Sequence, residues 1–206
     1  MTYKKTLVIL LALLLVGMAM VPMVSAEDGK TIVDGNIVYV ATASPAQLEK
    51  INELWGKDIT IGEYLTQVHP SLLEDMPADV KKTIFEKKWR WSTAEEMTVP
   101  PKSTDSSNTD VDCSVFLISA GSVVRYGGGA LYNNNPAPTM LQSSTYVRNS
   151  ADQLVSSTGA VGYNVKRVYA DNQFVPPVHG TYHAQTFGQS TSPDVYGFSD
   201  VNYLLW

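Results

Sequence analysis

The chain reads as an α+β protein, a small helical N-terminal part followed by a C-terminal antiparallel β-sandwich. Three observations predict this. Helix-start signals recur at Ser44, Thr60 and Pro77. No helical pattern interrupts the chain after Cys113. Residues 113–206 hold eight of the eleven tyrosines, with turn residues roughly every ten positions, the rhythm of a sandwich.

The first 26 residues have the three parts of a signal peptide: Lys4 and Lys5, an uncharged apolar run from Leu7 to Val21, and the small-residue ending Val24-Ser25-Ala26. Cleavage is expected after Ala26. The alternative is an uncleaved anchor, because Thr6 to Val24 approaches the roughly 20 apolar residues that cross a bilayer. Either way residues 27–206 are expected outside the cytoplasmic membrane, touching it only through the leader, if that is retained.

In residues 27–43, Asp34-Gly35 between two β-branched runs predicts a β-hairpin. Two strands are marginal alone, so the hairpin should dock on the later sheet. Residues 44–91 read as a helical subdomain. Ser44-Pro45-Ala46-Gln47 and Thr60-Ile61-Gly62-Glu63 are both capping boxes. Leu48, Ile51, Leu54 and Trp55 share one face of the first helix, and His69-Pro70 ends the second. A third helix is predicted from Pro77 to about Trp91, with Val80, Ile84, Phe85 and Trp89 as its apolar stripe.

Residues 92–112 change to Ser, Thr, Pro, Asp and Glu, the composition of a flexible linker. The sandwich, 113–206, is predicted to have strands at 114–119, 122–126, 140–148, 154–157, 161–170, 180–187 and 195–203. Gly127-Gly128-Gly129 is taken as a turn, lacking the lysine and the strand-to-helix context of a phosphate loop.

The net charge is −5, and residues 113–206 balance four basic groups against four acidic ones. No basic stripe exists for phosphates, which argues against nucleic acid as a partner. Cys113 is the sole cysteine, so no intramolecular disulfide can form, and its apolar neighbours suggest a core residue. His179 and His183 have zinc spacing only if helical. Their neighbours favour a strand, where four residues span about 13 Å. No metal and no cofactor is therefore expected. Asp105, Asp110 and Asp112 are oxygen-rich, as calcium requires, but the glycine and terminal glutamate of an EF-hand loop are absent. Asn133 and Asn134, flanked by Tyr126 and Tyr132, are the predicted binding residues, since sandwich-end loops and tyrosines suit contacts.

Two resemblances add to this. His179-Gly180-Thr181-Tyr182-His183-Ala184 resembles the corner of immunoglobulin-like (Ig-like) domains, in which a glycine and then a tyrosine precede a small or cysteine residue two positions later. The resemblance implies an Ig-like sandwich whose Tyr182 hydroxyl bonds nearby backbone, with Ala184 in the cysteine's place. The leader ending in residues 16–26, and the stretches 143–155, 162–169 and 180–183, resemble uncharacterised secreted proteins of methanogenic archaea. The whole implies an exported binding or structural module of the cell envelope, with an unknown ligand. Its rival is a secreted hydrolase built from dispersed residues, such as Cys113 or a serine with His179 or His183. In a third reading, residues 44–91 recognise a partner.

Overall fold

The computed structural model describes residues 29–33, 35–74, 76–91, 110–199 and 202–206. The predicted leader, most of the predicted linker, and Asp105 lie outside the described residues. Among the described residues, no helix is long and apolar enough to cross a membrane.

The protein is mostly antiparallel β-sheet with few helices. Its strands are β1 (Gly29–Val33), β2 (Asn36–Thr42), β3 (Val111–Ala120), β4 (Val123–Tyr132), β5 (Met140–Asn149), β6 (Leu154–Tyr163), β7 (Arg167–Phe174), β8 (Thr181–Ser190), β9 (Tyr196–Phe198) and β10 (Asn202–Leu205). The helices are α1 (Pro45–Leu54), α2 (Ile61–Val68), α3 (Ser71–Glu74) and α4 (Ala78–Glu86). A seven-stranded sheet runs β1-β2-β6-β5-β8-β10, with β9 also paired to β8, and a three-stranded sheet runs β3-β4-β7. The β1–β2 hairpin is part of the large sheet, β2 pairing β6 from Val38↔Gly162 to Thr42↔Thr158.

The sheets stack face to face over two apolar clusters, one around Val38, Leu141 and Val168, the other around Leu117, Tyr126, Val147 and Tyr182. The helices cover the opposite face of the large sheet. Ile51, Leu54, Tyr64, Leu65, Val80 and Ile84 form one cluster with Ala41, Met140, Tyr146 and Val161. The expected tethered helical subdomain is thus a third layer that shares a core with the sheet.

Both capping boxes form. Ser44 Oγ accepts from Gln47 N while Gln47 Oε1 accepts from Ser44 N at 2.7 Å. Thr60 and Glu63 do the same at 3.1 and 2.7 Å. The helix predicted from Pro77, α4, is shorter than expected, stopping at Glu86, because the following residues pair with the α1–α2 connection. Trp89 N donates to Ile59 O at 2.8 Å and Ile61 N to Lys87 O at 2.9 Å. This extended piece carries Trp89 onto Tyr64 with centroids 3.6 Å apart, while Phe85 of the expected stripe is 49% exposed.

The strand assignment is corrected in four places. Gly127, Gly128 and Gly129 lie in the middle of β4, paired with β3 on one side and β7 on the other. The predicted strand 161–170 breaks at Asn164, whose φ of 54° turns the chain from the large sheet to the small one. The predicted strand 195–203 is two, β9 and β10. β3 begins at Val111, so the last residues of the predicted linker belong to the sandwich. At the start of β8, the Tyr182 hydroxyl donates to Val178 O at 2.6 Å, closing the local corner expected from the sequence.

Candidate functional site

The predicted binding residues separate in space. Tyr126 is 0% exposed and its hydroxyl hydrogen-bonds Ser156 Oγ at 2.7 Å between the sheets. Burial pushes its phenol well above the ordinary tyrosine range, although the Ser156 and Asn172 contacts oppose this. Tyr132 is 4% exposed, packed with Val111, Leu141 and Val168. Neither tyrosine presents a contact surface, because alternation along β4 turns both inward. Asn133 and Asn134 are exposed and meet the acidic end of the linker. Asn133 Nδ2 donates to Asp112 Oδ2 at 2.9 Å, Asn133 N to Asp110 O at 2.9 Å, and Asn134 Nδ2 to Asp110 Oδ1. These bonds clamp the start of β3 to the end of β4. Among the described residues, no group of three or more His, Cys, Asp or Glu side chains could hold a metal ion.

The components of the rival hydrolase are also apart. Cys113 faces the space between the sheets, where Val111 and Ala130 join it around Gly188. Burial, with Asp112 adding, pushes its thiol up to about 12, far from the range of a reactive thiolate. His183 points away from the sheet interface, since its cross-strand partner is Arg148, whose guanidinium lies over Trp55 in the helical layer. His179 is exposed in the β7–β8 connection. His69 is buried at the end of α2, with Nδ1 3.4 Å from Gln47 Nε2, and lines a cavity of only about 20 Å³ with Ser144 and Ser157. That volume admits no ester or peptide.

A different surface gathers chemistry suited to contact. The helices cover the outer face of the large sheet over β2, β6 and β5 but stop near β8. Beyond that line the outward residues of β9 and β10 are Tyr196, Phe198, Tyr203 and Leu205, exposed by 45%, 44%, 63% and 80%. Their registers place Tyr196 opposite Gln189, Phe198 opposite Phe187 and Tyr203 opposite His183, so they form one row along β8. Two arginines mark the border with the helical layer. Arg90 lies over the Tyr196 ring at 5.3 Å and Arg148 over Trp55 at 4.2 Å. Arg148 also donates Nη1 to Asp152 O at 2.7 Å, and Asp152 Oδ1 stands 3.8 Å from His183 Nε2.

Burial lowers the His183 pKa and the nearby Arg148 charge lowers it further, outweighing the opposite pull of Asp152. Folding therefore favours the neutral imidazole. The unfolded chain binds the extra proton below its ordinary value of about 6.5, so stability is full above that pH and declines as pH falls through it. The expected result is a urea midpoint that drops between about pH 7 and pH 5, with a smaller drop in His183→Gln. An identical pH slope in the variant would refute the assignment.

No family model matches the chain, and no curated protein matches it.

Proposed function

We propose that the protein is an exported module of the cell envelope or extracellular space, of the kind secreted by methanogenic archaea, which binds a partner through the uncovered aromatic face of its large sheet. The three-part leader supports export. The sandwich is Ig-like in this reading. Support comes from the sheet orders β3-β4-β7 and β6-β5-β8 followed by β9 and β10, which have the connectivity of such domains, and from the Tyr182 corner, where buried Ala184 replaces the cysteine.

The observation that carries the binding role is the row Tyr196, Phe198, Tyr203 and Leu205. Contiguous exposed apolar surface of this kind marks interaction sites, and aromatic residues beside arginine are the composition of interface centres. The helices are a poorer candidate, because their apolar faces are spent on the sheet.

The test is retention of the protein on isolated cell envelopes, for wild type and for Phe198→Ser/Tyr203→Ser, with the change Ile118→Ser/Leu131→Ser on the other sheet as control. Central aromatic contacts are worth about 2 kcal/mol or more each, roughly 30-fold apiece, so binding should weaken on the order of several hundred-fold in the Phe198→Ser/Tyr203→Ser double variant and stay unchanged in the control. Equal retention of all three removes the face from consideration. Unprocessed protein in the cytosol would remove export.

A further inference from the structure

The joint between the helices and the large sheet contains polar groups that a dry core would not tolerate. Trp89 and Gln142 are 5% and 2% exposed, yet Trp89 Nε1, Gln142 Nε2 and Gln142 Oε1 have no hydrogen-bond partner. Both residues line the cavity of about 20 Å³ between α2 and the β5–β6 pair, together with Tyr64, His69, Ser144 and Ser157. An unanswered buried donor or acceptor is a large cost, and native proteins meet it with ordered water when the space is polar and roomy enough.

We propose that this cavity is the binding site of a single water molecule, which accepts from Trp89 Nε1 and donates to Gln142 Oε1. Size and chemistry select this ligand. One water needs about 10–15 Å³ of such space, and nothing much larger fits. A cation would face the N–H groups of Trp89 and Gln142, and an anion would face the Gln142 carbonyl oxygen.

Ser143 Oγ, on the wall of the same cavity, is likewise buried without a partner. Gln142 is the cross-strand partner of Gln189, on the same face of the sheet, and Gln189 Oε1 is itself buried without a partner. Gln142 Nε2 and Gln189 Oε1 are not bonded to each other in the structure. Gln189 Nε2 already donates to Lys88 O at 2.8 Å, the residue before Trp89. The water links Trp89 to Gln142, while Gln189 on the neighbouring strand is bonded to the backbone just before Trp89. It joins the segment after α4 to the middle of the sheet.

A crystal structure of the protein at high resolution is expected to show a density peak about 2.7–3.2 Å from both Trp89 Nε1 and Gln142 Oε1. In solution the Trp89 indole proton should show a cross-relaxation peak to a long-lived water, lost in Gln142→Leu. The wild-type measurements decide the matter should that variant fail to fold. No density together with no cross-relaxation peak, a direct bond from Trp89 Nε1 to another side chain, or a peak with the anomalous signal of chloride would each overturn the proposal.

Discussion

Gly128→Ala is expected to cost about 3–5 kcal/mol, a large fraction of the stability of an ordinary domain. Gly128 faces inward from the middle of β4. A Cβ there would overlap Thr186 Oγ1 and Ser114 O and sit 2.8 Å from Thr145 Oγ1. Those two threonine hydroxyls hydrogen-bond each other at 2.7 Å across β5 and β8, fully buried. The new methyl must either spread the sheets or break this pair. Overpacking alone costs roughly 1–3 kcal/mol, and a stranded buried hydroxyl adds a similar amount. Gly180→Ala is the control, for its nearest neighbour would be 3.7 Å away, an ordinary contact. Urea denaturation of both variants is the measurement. Removing the obstructing oxygen with Thr186→Ala in the Gly128→Ala background should recover part of the loss, since the two sites share one space. A Gly128→Ala variant within about 0.5 kcal/mol of wild type would show that the sheets are not held this close.

The same glycines mark the limit of what the sequence reveals. Three in a row look like a turn because glycine is common in turns; inside the strand, Gly128 answers the approach of the large sheet, while Gly127 and Gly129 lie close against Phe116 and the Val168–Asp171 stretch of their own sheet. Features closed within a short stretch were legible: both capping boxes and the Tyr182 corner depend on partners no more than four positions away, and the Asp34-Gly35 hairpin pairs residues of two adjoining strands, out to Gly29 with Val40. Features set by distant packing were not. The strand β5 contains the polar Gln142, Ser143, Thr145 and Arg148, spread over both faces, yet nearly all its residues are buried. It is the middle of three layers, so both its faces are covered and alternation ceases to report exposure.

The candidate site was hidden for a related reason. The turn read at Gly127-Gly128-Gly129 hid the single strand that puts Tyr126 and Tyr132 on one face, and no local pattern says that this face meets the large sheet. Tyr196 and Phe198 were visible as alternating residues of a strand. Their exposure depends on where the helical layer ends, and no local pattern encodes that. The convergence of Asn133 and Asn134 on Asp112 and Asp110 likewise joins positions about 20 residues apart through the β3–β4 pairing.

Trp89→Ala should also destabilise strongly, by about 3–5 kcal/mol, the range for losing a buried tryptophan. Trp89 is stacked on Tyr64 and touches Trp91, which in turn lies 5.0 Å from Trp55. Trp55 meets Tyr146 of β5 edge-on at 5.0 Å. This aromatic chain runs from α2 to the sheet, and Trp89 is its most buried tryptophan. Phe85→Ala, at a residue that the helical stripe would rank as equal, should cost much less because half its surface is already exposed. A spectroscopic readout separates loosening of this joint from a general loss of stability. Burial raises the phenol of Tyr64 well above its ordinary value and that of Tyr146 to about 12. In Trp89→Ala water gains access to the Tyr64 ring, so its phenol should titrate closer to the usual value of about 10, measured by ultraviolet absorbance on protein still folded at that pH. A loss below about 1 kcal/mol, with tyrosine titration unchanged, would mean that the helical layer is held on the sheet by other contacts.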